Sequence, residues 1–184
     1  MPDRLLIVCH ANMCRSPMAE YLLRQLLGDR PIVVASAGTH AVPGHPMHPY
    51  AAEIAAGTGA DPAAFVSREL RPEHLAEADL VLTATRRQRS ICTALAPAAL
   101  HRTFTLHQFG RLAAAADPPA GRVDAPLRTA VRAAARARAL LQPAAPEADD
   151  LRDPIGGGPE DFRRCAAEIG RSVRPVLTLI GAAG

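Results

Sequence analysis

Residues 5–17 read Leu-Leu-Ile-Val-Cys-His-Ala-Asn-Met-Cys-Arg-Ser-Pro, an apolar run followed by a short loop and the start of a helix. The unbroken aliphatic run at 5–8 is typical of a strand that is buried on both faces of a parallel sheet. Ser16 at the N-cap and Pro17 at the first helical position predict a helix over 17–27, which Gly28 ends. The order strand, loop, helix therefore places the loop at the carboxyl end of a parallel strand.

The rest of the chain repeats this alternation of short apolar strands and helices. Further strands are predicted at 32–37, 80–84 and 103–106, and helices at 50–56, 85–95, 127–141 and about 159–179. Residues 111–126 and 142–158 are rich in Pro, Ala, Gly and Asp and are predicted to be loops. The pattern indicates the α/β class, as one domain over residues 1–184: a doubly wound sandwich with a central four-stranded parallel sheet flanked by helices.

The loop after the first strand carries groups suited to a tetrahedral oxyanion. The start of a helix leaves backbone N–H groups without partners, and those of residues 10–15 can surround an anion. Arg15 has a planar fork that holds two oxygens at once, and the same positive field favours the thiolate of Cys9. Ser16 can donate to that sulfur, and Asn12 tolerates a left-handed backbone. The candidate anion-binding residues are His10, Ala11, Asn12, Met13, Cys14, Arg15 and Ser16.

This loop resembles the signature of the low-molecular-weight protein tyrosine phosphatases, which is Cys-x5-Arg-Ser directly after the first strand. The matching residues are Cys9, Asn12 and 14–20, supported by Ser-Ala-Gly-Thr at 36–39 and by Asp153-Pro154 before the last helix. The resemblance implies phosphomonoester hydrolysis through a phosphocysteine intermediate, without a metal or another cofactor. Cys9 would be the nucleophile, and Arg15 would hold the phosphoryl oxygens.

The resemblance also implies roles for an acid and for a second cysteine. Asp153 would protonate the leaving oxygen and then activate water. Asp61 and Asp117 also precede prolines, but only Asp153 stands just before the final helix, as in the family. Cys14 matches the position from which family members form a reversible disulfide with the nucleophile, and it is the expected redox partner of Cys9.

The substrate is less closely specified than the reaction. The resemblance implies a phosphotyrosine protein, but Ile155 and Gly156 stand where family members usually carry aromatic residues. A small phosphomonoester or phosphoarginine is the alternative, although arginine phosphatases have a threonine in the place of Met13. Arsenate reduction would need a relay of two further cysteines close together in the sequence, and Cys92 has no second cysteine near it. A non-catalytic phosphate-binding module would not need the acid, which is present as Asp153.

The composition of the chain limits which binding partners and which cellular compartment we expect. All 21 basic residues are Arg, and the net charge of +3 is spread along the chain, which does not favour a nucleic-acid partner. No apolar run of about 18 residues and no signal peptide are evident, so we expect a cytoplasmic protein without a membrane span, as a monomer or weak dimer. The histidines His40, His45 and His48 fit a structural zinc site poorly. A plain solvated loop is the first interpretation of this segment, and a loop that flanks the cradle formed by residues 9–16 is the second.

Overall fold

The fold is built on a sheet of four parallel strands. A computed structural model of the chain describes residues 2–119, 121 and 123–181. The strands are β1 (Asp3–Cys9), β2 (Ile32–Gly38), β3 (Leu80–Thr83) and β4 (Thr103–Thr105), and they lie in the order β2-β1-β3-β4. All three pairings are parallel, so the predicted sheet is confirmed. Cys9 lies at the end of β1, beside Gly38 at the end of β2.

Seven α-helices in the described residues connect and cover the strands. They are α1 (Arg15–Leu27), α2 (Pro49–Ala56), α3 (Pro72–Glu77), α4 (Arg86–Leu95), α5 (Leu106–Ala114), α6 (Pro126–Ala137) and α7 (Pro159–Leu179). Single 3-10 turns lie at Pro62–Ala64, Pro97–Arg102, Arg138–Leu140 and Pro146–Asp149. None of the helices within the described ranges is both long and apolar enough to cross a bilayer.

Side chains alternate along β1 between two separate cores. Leu5 and Ile7 face the larger core, which helices α1, α2, α5, α6 and α7 close. Leu6 and Val8 face a smaller core with Leu75 of α3 and residues of α4. Both faces of β1 are therefore buried, as its continuous apolar run predicts, and the doubly wound sandwich is confirmed.

Three local predictions are corrected. Residue 106 begins α5 instead of ending β4, and residues 111–114, predicted to be a loop, complete this helix. The hydroxyl of Thr105 accepts a hydrogen bond from the Gln108 N–H at 3.1 Å, and the buried Leu106 and Phe109 lie on one helical face, so capping and burial start the helix there. Residues 111–114 are Arg-Leu-Ala-Ala, which are strong helix formers, and they continue it. Helix α6 ends at Ala137, and the predicted remainder contains a 3-10 turn.

The third correction is the start of α1. The helix begins at Arg15, with Cys14 in the N-cap position, so Ser16 is not the capping residue. Its hydroxyl instead forms a hydrogen bond with the sulfur of Cys9. The sequence also predicts this contact.

Candidate active site

The loop 10–14 lies where β1 ends and α1 begins, and the turn after β2 holds its outer side. Thr39 donates its backbone N–H to the Cys9 carbonyl at 3.0 Å, and His40 donates to the His10 carbonyl at 2.9 Å. The His48 N–H donates to the Met13 carbonyl at 3.0 Å. Loop carbonyls are thus satisfied from outside, which leaves the loop free to turn its own N–H groups inward.

Gly38 allows the closest of these approaches. A Cβ atom at this position would lie 2.6 Å from the His10 carbonyl oxygen and 2.8 Å from the Asn12 nitrogen, closer than atoms pack. Both neighbours are backbone atoms of the loop, so they cannot move without changing its shape.

We therefore expect Gly38→Ala to lower the free energy of unfolding by about 1–3 kcal/mol, as overpacking does, and to remove most activity. Chemical denaturation and aryl phosphate turnover measure the two effects. Gly170 of α7 is the control, because an added Cβ there meets only the Leu22 side chain at the ordinary contact distance of 3.8 Å. Full activity in Gly38→Ala would contradict a loop shape set by this contact.

Cys9 lies at the bottom of the cradle, with two groups directed at its sulfur. The side chain is buried, and its Sγ lies 2.9 Å from the Ser16 hydroxyl. The backbone N–H of Asn12 donates to the same sulfur at 3.3 Å. Both contacts stabilise negative charge on sulfur, because a thiolate is the better acceptor.

Asn12 fixes the loop through its side chain as well as its backbone. Its φ of 55° confirms the left-handed conformation. The side-chain amide donates to the hydroxyls of Ser16 at 2.9 Å and Ser36 at 2.8 Å, and the amide oxygen accepts from the Arg68 N–H at 2.9 Å. Ser36 belongs to the stretch 36–39 that supports the resemblance, but its bond to Asn12 and the contact of Arg68 could not be predicted, because they join segments 24 and 56 residues away from Asn12.

Glu20 lies behind this network and extends it to α1. Its carboxylate accepts a hydrogen bond from the Ser36 hydroxyl and is paired with Arg24. Burial raises the pKa of Glu20, while the bond from Ser36 and the charge of Arg24 oppose that rise. The network therefore anchors Asn12 on two elements of the fold, the helix α1 and the strand β2.

Arg15 is the buried cation of the site. Its side chain donates through Nη1 to the Leu151 carbonyl at 3.2 Å and pairs through Nη2 with Asp153. The third guanidinium nitrogen, Nε, is buried and has no hydrogen-bond partner among the described residues. A buried N–H without a partner costs free energy, and this cost is removed if the Nε–H donates a hydrogen bond to an anion bound in the cradle.

Of the candidate acids, only Asp153 is brought to the cradle. Its carboxylate pairs with Arg15 and accepts from the Ile155 N–H at 3.2 Å. Asp61 instead caps the turn Pro62–Ala64 by accepting from the Ala63 N–H at 2.8 Å. Asp117 is exposed and forms no hydrogen bond or ion pair with the loop in the described part of the chain. The geometry therefore supports Asp153, and not Asp61 or Asp117, as the general acid.

The four cysteines are free and buried, in two groups. Cys14 lies close to Cys9, and its pKa is raised to about 12 by burial and by the charges of Asp153 and Cys9. Cys165 of α7 lies in the same core, and burial raises its pKa to about 12. Cys92 lies in the smaller core on the other face of the sheet. Cys92 is thus remote from the site, and Cys165 is the cysteine near it that the sequence did not reveal.

The histidine-containing loop lies along the cradle. The ring of His40 lies 4.6 Å from the ring of His10, measured between centroids. His48 stacks on Phe162 at 4.5 Å and accepts from the Tyr50 N–H at 3.3 Å. These histidines contact rings and backbone, and the described residues contain no cluster of three side chains that could bind a metal.

A thiol, a guanidinium and a carboxylate around an N–H-lined cradle define the class of cysteine-dependent enzymes that act on oxyanions. Residues 4–142 match the family described as low molecular weight phosphotyrosine protein phosphatase, and the chain belongs to this family. It is 35% identical over 107 residues to the low molecular weight protein-tyrosine-phosphatase Etp of Escherichia coli, covering 58% of this chain and 71% of that protein.

Two further comparisons involve arginine phosphatases. The protein-arginine-phosphatase of Geobacillus stearothermophilus is 38% identical over 128 residues, which cover 67% of this chain and 84% of that one. The solved structure of the YwlE arginine phosphatase from the same organism superposes with a TM-score of 0.69 at 28% identity, covering 95% of this chain and 90% of that chain. The family resemblance and the phosphatase class that the sequence predicts are confirmed.

Arg15→Lys tests whether the cradle needs the fork of arginine or only a positive charge. A lysine cannot keep the contact with Leu151 and hold two oxygens together, so we expect turnover to fall about 10²-fold or more. Steady-state kinetics with an aryl phosphate measure this, and Arg132→Lys at an exposed position of α6 is the matched control. Wild-type rates in Arg15→Lys would contradict the two-oxygen clamp.

Proposed function

We propose that this chain hydrolyses phosphomonoesters in two steps, and the observation that carries the proposal is the convergence of Cys9, Arg15 and Asp153 on one cradle. In the first step the Cys9 thiolate forms a bond to phosphorus while the bond to the leaving oxygen breaks, and Asp153 gives its proton to that oxygen. In the second step the Asp153 carboxylate takes a proton from a water molecule while the oxygen of that water attacks phosphorus. The bond between sulfur and phosphorus then breaks, and phosphate leaves.

Arg15 and the loop amides stabilise the charge that develops in both steps. The N–H groups of residues 10–15 and the free Nε of Arg15 are suited to the three equatorial oxygens of the phosphoryl group. Arg15 also pairs with Asp153, and a bound phosphoryl group would compete with that carboxylate for the guanidinium. Binding of substrate is therefore expected to release Asp153 toward the leaving oxygen.

We propose phosphotyrosine in a protein as the preferred substrate. Met13 is a partly exposed apolar residue of the loop, and Tyr50 lies beside His48, which bonds the Met13 backbone. An apolar and aromatic rim suits a phenyl ring, and it would replace the aromatic residues missing after Pro154.

A thiol nucleophile requires reducing surroundings, so we place the protein in the cytoplasm.

Phosphoarginine is the second candidate, because the chain resembles the Geobacillus arginine phosphatase as well as the tyrosine phosphatase Etp. A turnover screen decides between them, with a phosphotyrosine peptide, a phosphoarginine peptide and small metabolite phosphates at equal concentrations. We expect the highest kcat/KM for phosphotyrosine, and Cys9→Ser protein corrects for contaminating activity. A preference for phosphoarginine would overturn the choice of substrate and the phosphomonoester reaction, because the bond that breaks then joins phosphorus to nitrogen, but it would keep the transfer to Cys9. No turnover of any of them would overturn that transfer too.

Cys14 is proposed to protect the nucleophile from irreversible oxidation. Peroxide converts the Cys9 thiolate to a sulfenic acid, which condenses with the Cys14 thiol to a disulfide and water. We expect wild-type activity to return fully after dithiothreitol, and Cys14→Ser activity to return only in part. Peptide mapping identifies the disulfide, and Cys92→Ser, in the other core, should behave as wild type. Equal recovery of Cys14→Ser and wild type would contradict the protective role.

A further inference from the structure

A second cavity, separate from the cradle, opens beyond the ends of β3 and β4. It has a volume of about 360 Å³, and four arginines from three parts of the chain line it: Arg86 and Arg89 of α4, Arg111 of α5, and Arg138. Ligands of doubly wound sheets bind outside the carboxyl ends of the strands, and this size is within the range of small-molecule sites. The cavity is called the arginine pocket below.

The charge of the arginine pocket is largely uncompensated. Arg111 pairs with Asp149, whereas Arg86, Arg89 and Arg138 have no ion-pair partner within the described ranges. The pKa of Arg89 is lowered by burial and by the charges of Arg138 and Arg86. Like charges therefore face one another across the cavity, and an anion between them would relieve the repulsion.

The protein holds several of these cations in place before any ligand arrives. Arg89 donates through Nε to the Thr103 carbonyl at 2.8 Å, and the guanidinium of Arg138 lies 5.5 Å from the ring centroid of Phe104. Arg111 donates through Nη1 to the Ala148 carbonyl at 3.2 Å. A preorganised set of guanidinium groups binds phosphate more tightly than flexible surface cations do, because less side-chain entropy is lost.

The rest of the lining has an apolar part, from Leu112, Leu141, Pro143 and Pro146, and a neutral polar part, from Thr105, Gln108 and Gln142. An inorganic ion would leave the apolar part without a partner, whereas an organic group attached to phosphate would cover it. We propose that the arginine pocket binds a small organic molecule with two or more phosphate groups, of the nucleotide or the sugar-phosphate type.

The pocket and the catalytic cradle share one segment of chain. Asp149 and Asp150 contact the pocket side, where Asp149 pairs with Arg111 and Asp150 accepts from the Arg86 N–H at 2.7 Å. Four residues after Asp149, Asp153 pairs with Arg15. The carboxylate of Asp149 competes with the ligand for Arg111, so removing its charge should tighten binding.

The test is an NMR titration of the ¹⁵N-labelled full chain carrying Cys9→Ser, which prevents turnover. ADP and fructose 1,6-bisphosphate are the two probes, and whichever binds more tightly identifies the type of organic group. We expect saturable shifts of the amides of Arg86, Gln108 and Arg111, distinct from any shifts at residues 10–15. Inorganic phosphate should bind the pocket much more weakly than the better probe.

Charge-matched variants give the decisive comparison. Arg86→Gln with Arg138→Gln should weaken binding about tenfold or more, since two charge-assisted contacts are lost. The control, Arg87→Gln with Arg136→Gln, removes the same charge at exposed neighbours that do not line the pocket, and it should bind as the parent does. Asp149→Asn should bind more tightly.

Three results would each overturn the proposal. The first is the absence of pocket shifts with both probes in protein whose remaining spectrum is that of the folded chain. The second is equal weakening by the two double variants, which would indicate general attraction to a basic surface. The third is pocket binding of inorganic phosphate as tight as that of the better organic probe.

Discussion

Cys9→Ser is expected to lower the turnover of an aryl phosphate by about 10⁴-fold or more while anion binding is kept. The serine hydroxyl is a much weaker nucleophile than a thiolate. Among the described residues, the sulfur has hydrogen-bond contacts only with Ser16 and the Asn12 N–H, and neither is a base that could activate a serine. The cradle itself is formed by backbone groups and Arg15, which the substitution leaves in place.

Two measurements separate chemistry from binding in this variant. Steady-state kinetics give the loss of turnover, and isothermal titration with inorganic phosphate gives the affinity of the cradle, which should change little. Cys92→Ser is the matched control because Cys92 is buried on the other side of the sheet. Turnover in Cys9→Ser comparable to wild type would rule out the thiol mechanism, and loss of phosphate binding would show that the sulfur also shapes the cradle.

Asp153→Ala is expected to show the second largest effect, and its size should depend on the leaving group. A general acid contributes about 10²–10⁴ in rate, and the benefit shrinks when the leaving oxygen is already a weak base. Turnover of phenyl phosphate should therefore fall far more than turnover of a nitrophenyl ester. One limb of the pH profile should also flatten, because the group that must be protonated has been removed.

Asp61→Ala and Asp117→Ala are the controls, and both should keep the leaving-group dependence of wild type. Asp61→Ala removes the cap of a short turn, so its effect should be on stability and not on the chemistry. If Asp117→Ala shows the leaving-group effect and Asp153→Ala does not, the acid lies on the earlier loop. Because Asp153 also neutralises Arg15, phosphate should bind Asp153→Ala at least as tightly as it binds wild type.

The sequence alone determined the central strand of this protein and the loop that follows it. The unbroken apolar run of β1 can be buried only between two layers, and the structure places its side chains in two cores. The Cys-x5-Arg-Ser spacing fixes a nucleophile and a cation on one turn of chain, because both belong to a single short loop. Local signals therefore sufficed for the fold class, the cradle and the family.

The family resemblance already predicted Asp153 as the acid, and only the tertiary structure showed how it and the other distant groups contact the cradle. The contact of Arg15 with Asp153 spans 138 residues of chain, and the bond of Asn12 with Ser36 spans 24. Helix α5 was missed because its last residues were grouped with the Pro- and Gly-containing segment that follows them, and its buried face becomes evident only from its packing in the larger core. The arginine pocket likewise arises from three separate segments. No spacing rule relates residues that meet only when helices pack on a sheet, so these features depend on the packed fold.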